Sequence, residues 1–206
     1  MRKWCAAHNL ELIDVPLIAF SPVEAFPVSV PDIIFYSSPR SVEFSSKIRL
    51  SFPGALSAAI GKSTSSRLEI TGTKVHFTGE TAGDPKKVAE SFKSWVGSRS
   101  VLFPASDRSL GTVSSVIPAN QKEELVVYRT ELIGRKLPPF PPCDFYVFTS
   151  PSNWQSFREK NEPSGIVIAW GNSTEKAISE SSSISSLTLE NPEESALIAL
   201  LEKLIK

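Results

Sequence analysis

The sequence predicts an α/β protein made of two similar parallel-sheet domains, one of them discontinuous, and three observations carry that expectation. The first is an internal repeat: Asp32-Ile33-Ile34-Phe35-Tyr36-Ser37-Ser38-Pro39-Arg40 returns as Asp144-Phe145-Tyr146-Val147-Phe148-Thr149-Ser150-Pro151-Ser152. Ala59-Ile60-Gly61-Lys62-Ser63-Thr64 returns as Ala169-Trp170-Gly171-Asn172-Ser173-Thr174, and Thr78-Gly79-Glu80 with Asp84-Pro85 is echoed by Thr188-Leu189-Glu190 with Asn191-Pro192. The offset, roughly 110 positions, is domain-sized and far beyond the ~20–50 residues of a solenoid repeat. The second is that each copy alternates short apolar runs with segments of helical spacing, the pattern of α/β layers. The third is length: 206 residues suffice for two domains of roughly 100 residues each.

The elements follow in order. Met1 to Val15 read as a helix running into a strand at about Leu10 to Leu17, and Pro16 to Pro31, with four prolines, reads as a stiff crossing between domains. Ile33 to Tyr36 is β-branched and aromatic on both faces, which suits a strand covered on both sides. Ser38-Pro39 then supplies an N-cap and a first helical residue. Ala58 to Ile60 predicts the next strand, Thr64 to Glu69 a helix, Val75 to Thr78 a third strand and Pro85 to Val96 a helix. Val101 to Pro104 predicts a strand, Asp107-Arg108 a helix start, Leu110 to Ile117 a short helix and Glu124 to Leu132 another β-rich run. A second crossing, Tyr128 to Pro142, closes in Leu137-Pro138-Pro139-Phe140-Pro141-Pro142. The second copy repeats the scheme with Phe145 to Phe148, a Ser150-Pro151 helix start, strand Ile166 to Trp170, helix Thr174 to Ser179, an exposed serine-rich loop over Ser179 to Ser186, strand Leu187 to Leu189 and helix Pro192 to Ile205.

Because Met1 to Val15 have no repeat partner, they are assigned to the second copy. The expected division is a discontinuous domain of residues 1–20 plus 133–206, an inserted domain of residues 24–126, and linkers over about 16–31 and 127–142.

Composition narrows the function classes. The 22 basic and 22 acidic residues balance, so no global field favours nucleic acid or an anionic membrane. No apolar run approaches the ~20 residues that span a bilayer, and Met1-Arg2-Lys3-Trp4 lacks the apolar core of a signal peptide. Cys5 and Cys143 have no metal-ligand spacing and are read as free thiols of a reducing cytoplasm. His8 and His76 lie far apart in ordinary contexts, so no histidine-based metal site or Ser–His triad is expected. The chain reads as soluble, cytoplasmic and metal-free.

Candidate binding residues cluster at turns. The two Ser-Pro and two Gly-x-Ser-Thr turns all fall at the expected carboxyl end of a strand, where parallel sheets bind ligands through helix N-termini and unpaired N–H groups. Small hydroxyl residues there also serve simply as good caps; their fourfold occurrence in two copies favours an anion-binding role. Gly61-Lys62-Ser63 lacks the longer Gly-rich spacing of a phosphate loop. Arg40 suits a bidentate carboxylate contact and suits a solvated surface as well. Tyr128, at the second crossing, reads by itself as packing. Trp154 and Trp170 read as core or cleft-lining aromatics, and no carboxylate pair stands out for acid–base work.

Taken together, Ile34-Phe35-Tyr36-Ser37-Ser38-Pro39-Arg40-Ser41-Val42-Glu43, Gly61-Lys62-Ser63-Thr64, Val101-Leu102-Phe103-Pro104 with Asp107-Arg108, Val127-Tyr128-Arg129-Thr130, Phe148-Thr149-Ser150-Pro151-Ser152 and Gly171-Asn172-Ser173-Thr174 resemble the uroporphyrinogen-III synthase family over nearly the whole chain. The resemblance implies two flavodoxin-like α/β domains joined by a two-stranded linker, with the active site in the cleft between them. It implies a monomeric lyase that cyclises hydroxymethylbilane to uroporphyrinogen III with loss of water and inversion of ring D, without a cofactor. Tyr128 matches the family's candidate proton donor. Ser38, Arg40, Ser63, Thr64, Ser150, Ser152, Ser173 and Thr174 fall at the substrate-binding turns. In one respect the sequence departs from the pattern: the family begins with a strand and a Thr-Arg-Pro-like turn, whereas Met1 falls inside the following helix. An open sheet edge with apolar surface is therefore expected in the discontinuous domain. A non-catalytic two-domain tetrapyrrole- or anion-binding protein is the alternative, and a bare flavodoxin-like interaction module a third.

Overall fold

The computed structural model describes residues 1–80 and 84–205. The chain divides into two compact units, one of residues Met1–Ala19 with Glu131–Lys206, and one of Phe20–Thr130.

The continuous unit is built on a six-stranded sheet. Its strands are β1 (Ile18–Pro22), β2 (Ile33–Tyr36), β3 (Leu56–Ala59), β4 (Val75–Thr78), β5 (Val101–Ser106) and β6 (Lys122–Leu132), in the order β1-β6-β5-β2-β3-β4. The β2–β3, β2–β5, β3–β4 and β5–β6 pairs are all parallel. Helices α2 (Pro39–Lys47), α3 (Lys62–Ile70) and α4 (Pro85–Val96) connect them. Numbered along the chain from β2, the parallel strands run 3-2-1-4-5. The doubly wound architecture is as expected, and its order is the dinucleotide-binding type rather than the flavodoxin-like 2-1-3-4-5.

Why β2 sits at the centre is visible in its four residues. Side chains alternate across a strand. Ile33 and Phe35 enter one core with Val88, Phe92 and Val96 of α4, together with Val101 and Phe103. Ile34 and Tyr36 enter another with Val42 of α2 and Leu68 of α3. All four are buried, so an uninterrupted apolar run is required. The α4 core is aromatic-rich: Phe35 and Phe92 lie 4.5 Å apart between centroids, and Phe103 lies 5.5 Å from Phe35.

The discontinuous unit holds a three-stranded parallel sheet, β7 (Phe145–Phe148), β8 (Ile166–Ala169) and β9 (Ser186–Thr188), in that order. Around it pack α1 (Arg2–Ala7), α5 (Pro151–Arg158), α6 (Asn172–Ser181) and α7 (Glu194–Leu204). Alternation again sends Tyr146 and Phe148 toward Trp154, Phe157 and Ile178 on one face. Phe145 and Val147 face the Leu197 and Leu201 side, where Met1 and Trp4 of the N-terminal segment also pack. The Met1 amino group pairs with Glu194, and Trp4 Nε1 donates to Glu202 at 3.4 Å. Among the described residues β7 pairs with β8 alone, and a shallow apolar groove lined by Ile13, Val15, Phe145 and Val147 runs along it.

Four local expectations are corrected. No strand forms over Leu10 to Leu17: α1 ends at His8, Asn9 takes φ 56°, and pairing begins only at Ile18, where β6 offers a neighbour. Asp107-Arg108 starts no helix. Asp107 is held to β6 instead, its N–H donating to Tyr128 O at 3.2 Å and its carboxylate accepting from Thr130 N at 3.0 Å. The helix expected over Leu110 to Ile117 shrinks to a 3-10 turn, Ser114–Val116. The serine run is not a loop from Ser179. Helix α6 continues to Ser181, and the Ser181 and Ser182 hydroxyls donate back to the Ala177 and Ile178 carbonyls at 2.5 and 2.8 Å. Trp154 Nε1 also anchors to Ser181 Oγ at 2.8 Å.

Burial pushes the Tyr36 phenol up from its ordinary 10 to about 12. The folded state thus favours the protonated form. Its stabilisation is fully present below about pH 10 and is lost as pH rises toward 12, at about 3 kcal/mol for the two-unit shift. In urea titrations between pH 9 and 12, the unfolding midpoint of the natural chain should fall more steeply than that of Tyr36→Phe; equal slopes would show that Tyr36 is not the group responsible.

Candidate functional site

Within a parallel sheet every strand's carboxyl end lies on one edge, so the turns singled out in each copy are gathered by topology. In the continuous unit the strand order reverses between β5 and β2, and ligands bind outside such a switch point. There the chain leaves β2 through Ser37-Ser38. Ser38 caps α2: its hydroxyl accepts from Ser41 N at 3.1 Å, while Ser41 Oγ accepts from Ser38 N at 3.3 Å. A serine thus performs the role that Glu or Gln plays in the usual capping box. Ser38 Oγ is occupied as a cap, and the open donor at this turn is the N–H of Arg40.

At the end of β3, Gly61 is the N-cap of α3 without any side-chain cap, and its carbonyl accepts from Thr64 N and Ser65 N at 3.1 and 3.0 Å. The N–H groups of Lys62 and Ser63 have no intrahelical acceptor, and no described residue accepts from them. Lys62 and Ser63 are exposed. Thr64 is fully buried, and its hydroxyl finds no partner among the described residues.

Tyr128 lies on β6 opposite Ser106, the last residue of β5. Its ring is buried, stacked on Phe44 of α2 at 4.8 Å and met edge-on by Phe20 of β1 at 6.0 Å. Phe20 in turn carries the Arg40 guanidinium 3.6 Å above its ring centroid, a cation–π contact that fixes the charge in place. Arg40, Phe20, Tyr128 and Phe44 therefore form one continuous stack. The sequence named the two polar members separately and missed Phe20, Phe44 and Ser106. Phe44's place four residues after Arg40, one helical turn on, was the available signal; nothing in the sequence pointed to Phe20.

The discontinuous unit repeats the edge in simpler form. Ser150 caps α5, accepting from Asn153 N at 3.3 Å, and the N–H of Ser152, at the second helical position, has no intrahelical acceptor. Gly171 caps α6 through its carbonyl, accepting from Thr174 N and Glu175 N at 3.0 and 3.1 Å. Asn172 and Ser173 are exposed and Thr174 is buried. The four residues Ser150, Ser152, Ser173 and Thr174 share this edge, as Ser38, Arg40, Ser63, Thr64 and Tyr128 share the other.

Chemically, both edges present backbone N–H groups and the positive ends of helix dipoles, a setting for carboxylates. Among the described residues no group of three His, Cys, Asp or Glu side chains is placed to hold a metal ion, and no helix is long and apolar enough to cross a membrane.

A duplicated parallel α/β scaffold with helix N-termini gathered along the carboxyl edge of each sheet defines a class of two-unit α/β folds. Comparison with known proteins narrows it. The sequence profile of the family described as uroporphyrinogen-III synthase HemD matches residues 1–199, and the chain belongs to that family. The fold is similar to that of uroporphyrinogen-III synthetase from Helicobacter pylori, with a TM-score of 0.73 at 18% identity over 91% of each chain. It is also similar to a mutant uroporphyrinogen III synthase from Thermus thermophilus, with a TM-score of 0.58 at 14% identity over 98% of this chain and 92% of that one. A search of curated protein sequences finds no match.

The unpartnered Thr64 hydroxyl separates binding from stability. A buried hydroxyl without a partner costs desolvation, so Thr64→Val should leave the thermal midpoint unchanged or raise it. A midpoint lowered by several degrees would show that the hydroxyl has a structural partner.

Proposed function

We propose that this chain is a uroporphyrinogen-III synthase that closes hydroxymethylbilane into uroporphyrinogen III, inverting ring D and releasing water. The observation that carries the reading is the pair of repeat-related sheet edges lined by open N–H groups, one of them adjoining the stacked phenol of Tyr128. A linear tetrapyrrole bears many carboxylates, and such edges bind carboxylates without needing a large net charge. We further read it as a cytoplasmic, monomeric enzyme that uses no cofactor.

The chemistry asks little of the protein beyond placement. The nitrogen of the terminal pyrrole expels the hydroxyl of the hydroxymethyl group, and an electrophilic azafulvene results. Tyr128 is proposed to donate its proton to the departing hydroxide, so that water leaves; the proton released as the macrocycle re-aromatises restores the balance. Ring closure to the unrearranged isomer occurs without help, so the enzyme's main contribution is holding the chain ends so that ring D reacts at its substituted carbon, an effect of orientation. Ser63, Ser152 and Ser173 are assigned to the substrate carboxylates, mainly through their open backbone N–H groups; the N–H groups of buried Thr64 and Thr174 are taken by Gly61 O and Gly171 O, so these two order the turns, as Ser38 and Ser150 do as caps. Arg40, held over Phe20, is assigned a charge-assisted carboxylate contact.

The test is a coupled assay in which hydroxymethylbilane is generated in situ and the oxidised products are separated into type I and type III isomers. A clear excess of type III is expected; type I alone would overturn the synthase reading in favour of a binding protein. Because the pyrrole itself drives hydroxide out, Tyr128→Phe should lower kcat by about 10- to 100-fold, the lower part of the range for a general acid, and an unchanged kcat would remove Tyr128 from the mechanism.

A further inference from the structure

Ser156 lies in α5, six residues past its N-cap Ser150; it is fully buried and makes two hydrogen bonds outside its helix. Its hydroxyl donates to Leu17 O at 2.5 Å and accepts from Gly134 N at 2.8 Å. Leu17 O also accepts from Ile133 N at 3.0 Å. One serine oxygen thus ties together the residue immediately before β1 and the residues immediately after β6. Gly134 is required for this closeness. A Cβ there would collide with the Ser156 carbonyl and crowd its hydroxyl, so only glycine admits the helix so near.

What is fixed at this point is a register. β1 and β6 are neighbours in the sheet, and at the far end of β1 the Val23 N–H donates to Val127 O at 2.9 Å. Between these two anchors lies Phe20, whose ring meets Tyr128 and supports Arg40. β1 is a five-residue edge strand of half-buried residues, and such strands specify their register weakly unless pinned.

We propose that Ser156 is a positioning residue for the reaction: its hydroxyl pins the start of β1 to the end of β6 and so sets where Phe20 holds Tyr128 and Arg40. The proposal rests on the synthase reading for its kinetic consequence and on geometry alone for its structural one. Ser156→Ala leaves the Gly134 N–H buried without an acceptor and takes away one of the two donors to Leu17 O. Strand β1 is then held by a single bond at its first end, and Tyr128 loses a fixed neighbour.

The experiment has two arms. In amide hydrogen exchange, Ser156→Ala should speed exchange in β1 and at Val23 by about tenfold while leaving β2 and β3 unchanged. A control truncation in the same unit, Ile178→Val, should lower the unfolding midpoint without altering β1. In the coupled assay, Ser156→Ala should lower kcat about fivefold or more with KM within about twofold, and the loss should disappear when Tyr128→Phe is already present, because both changes act on one group. Unaltered β1 exchange, or exchange that Ile178→Val speeds equally, overturns the positioning role. So does a kcat loss that persists in full in the Tyr128→Phe background. If the natural chain yields no type III product, the synthase reading fails, while the exchange arm still decides the register.

Discussion

Everything at the candidate site depends on the strands being parallel. A parallel pair cannot be joined by a tight turn; the chain must cross over and return, through an α-helix after β2, β3, β4, β7 and β8 and through 3-10 turns between β5 and β6. Every strand therefore ends, and every following helix begins, on the same edge of its sheet. That single constraint gathers residues from Ser38 to Tyr128 in one unit, and from Ser150 to Thr174 in the other, without any of them needing to be near in sequence. It also explains why small residues serve there: a helix start offers N–H groups and a dipole, and larger side chains would cover them.

Parallel pairing sets the demands on the core as well. With helices on both faces, β2 has no solvent side, and its Ile-Ile-Phe-Tyr run divides between two cores by simple alternation. Tyr36 shows the consequence of placing a phenol in such a strand: burial holds it neutral far into the alkaline range. Tyr128, on β6, has its ring buried between the aromatic rings of Phe20 and Phe44.

Much of the α/β pattern was legible in the residues, because buried parallel strands and Ser-Pro caps leave strong local marks. Ile33 to Tyr36 and Phe145 to Phe148 could hardly be anything but two-faced strands, and Ser38 and Ser150 cap as their sequence requires. The failures lie where a long-range partner decides. Leu10 to Leu17 has the composition of a strand, but strand formation waits for a neighbour, and β6 reaches only to Ile18 and beyond. Asp107 looked like a helix start because Asp often is one; here β6 claims its side chain and its N–H. At the candidate site the polar residues were legible as turn motifs. The aromatic supports were not, since Phe20 and Phe44 reach Tyr128 only after β1, α2 and β6 have come together.

The discontinuous unit has a temporal consequence. Ribosomes deliver Met1–Ala19 before the whole of the continuous unit, and Glu131–Lys206 only after it. At ~5–20 residues per second the first segment waits roughly 10–40 s for the sheet and helices it packs against, which end at Leu204. During that interval Trp4, Ile13 and Val15 have no partner of their own unit, while the continuous unit already possesses its full complement of strands except the pairing of β1 with the end of β6. The nascent chain should therefore mature in the order inner unit first, outer unit last, and until Glu131–Lys206 emerges the exposed segment of the outer unit is Met1–Ala19.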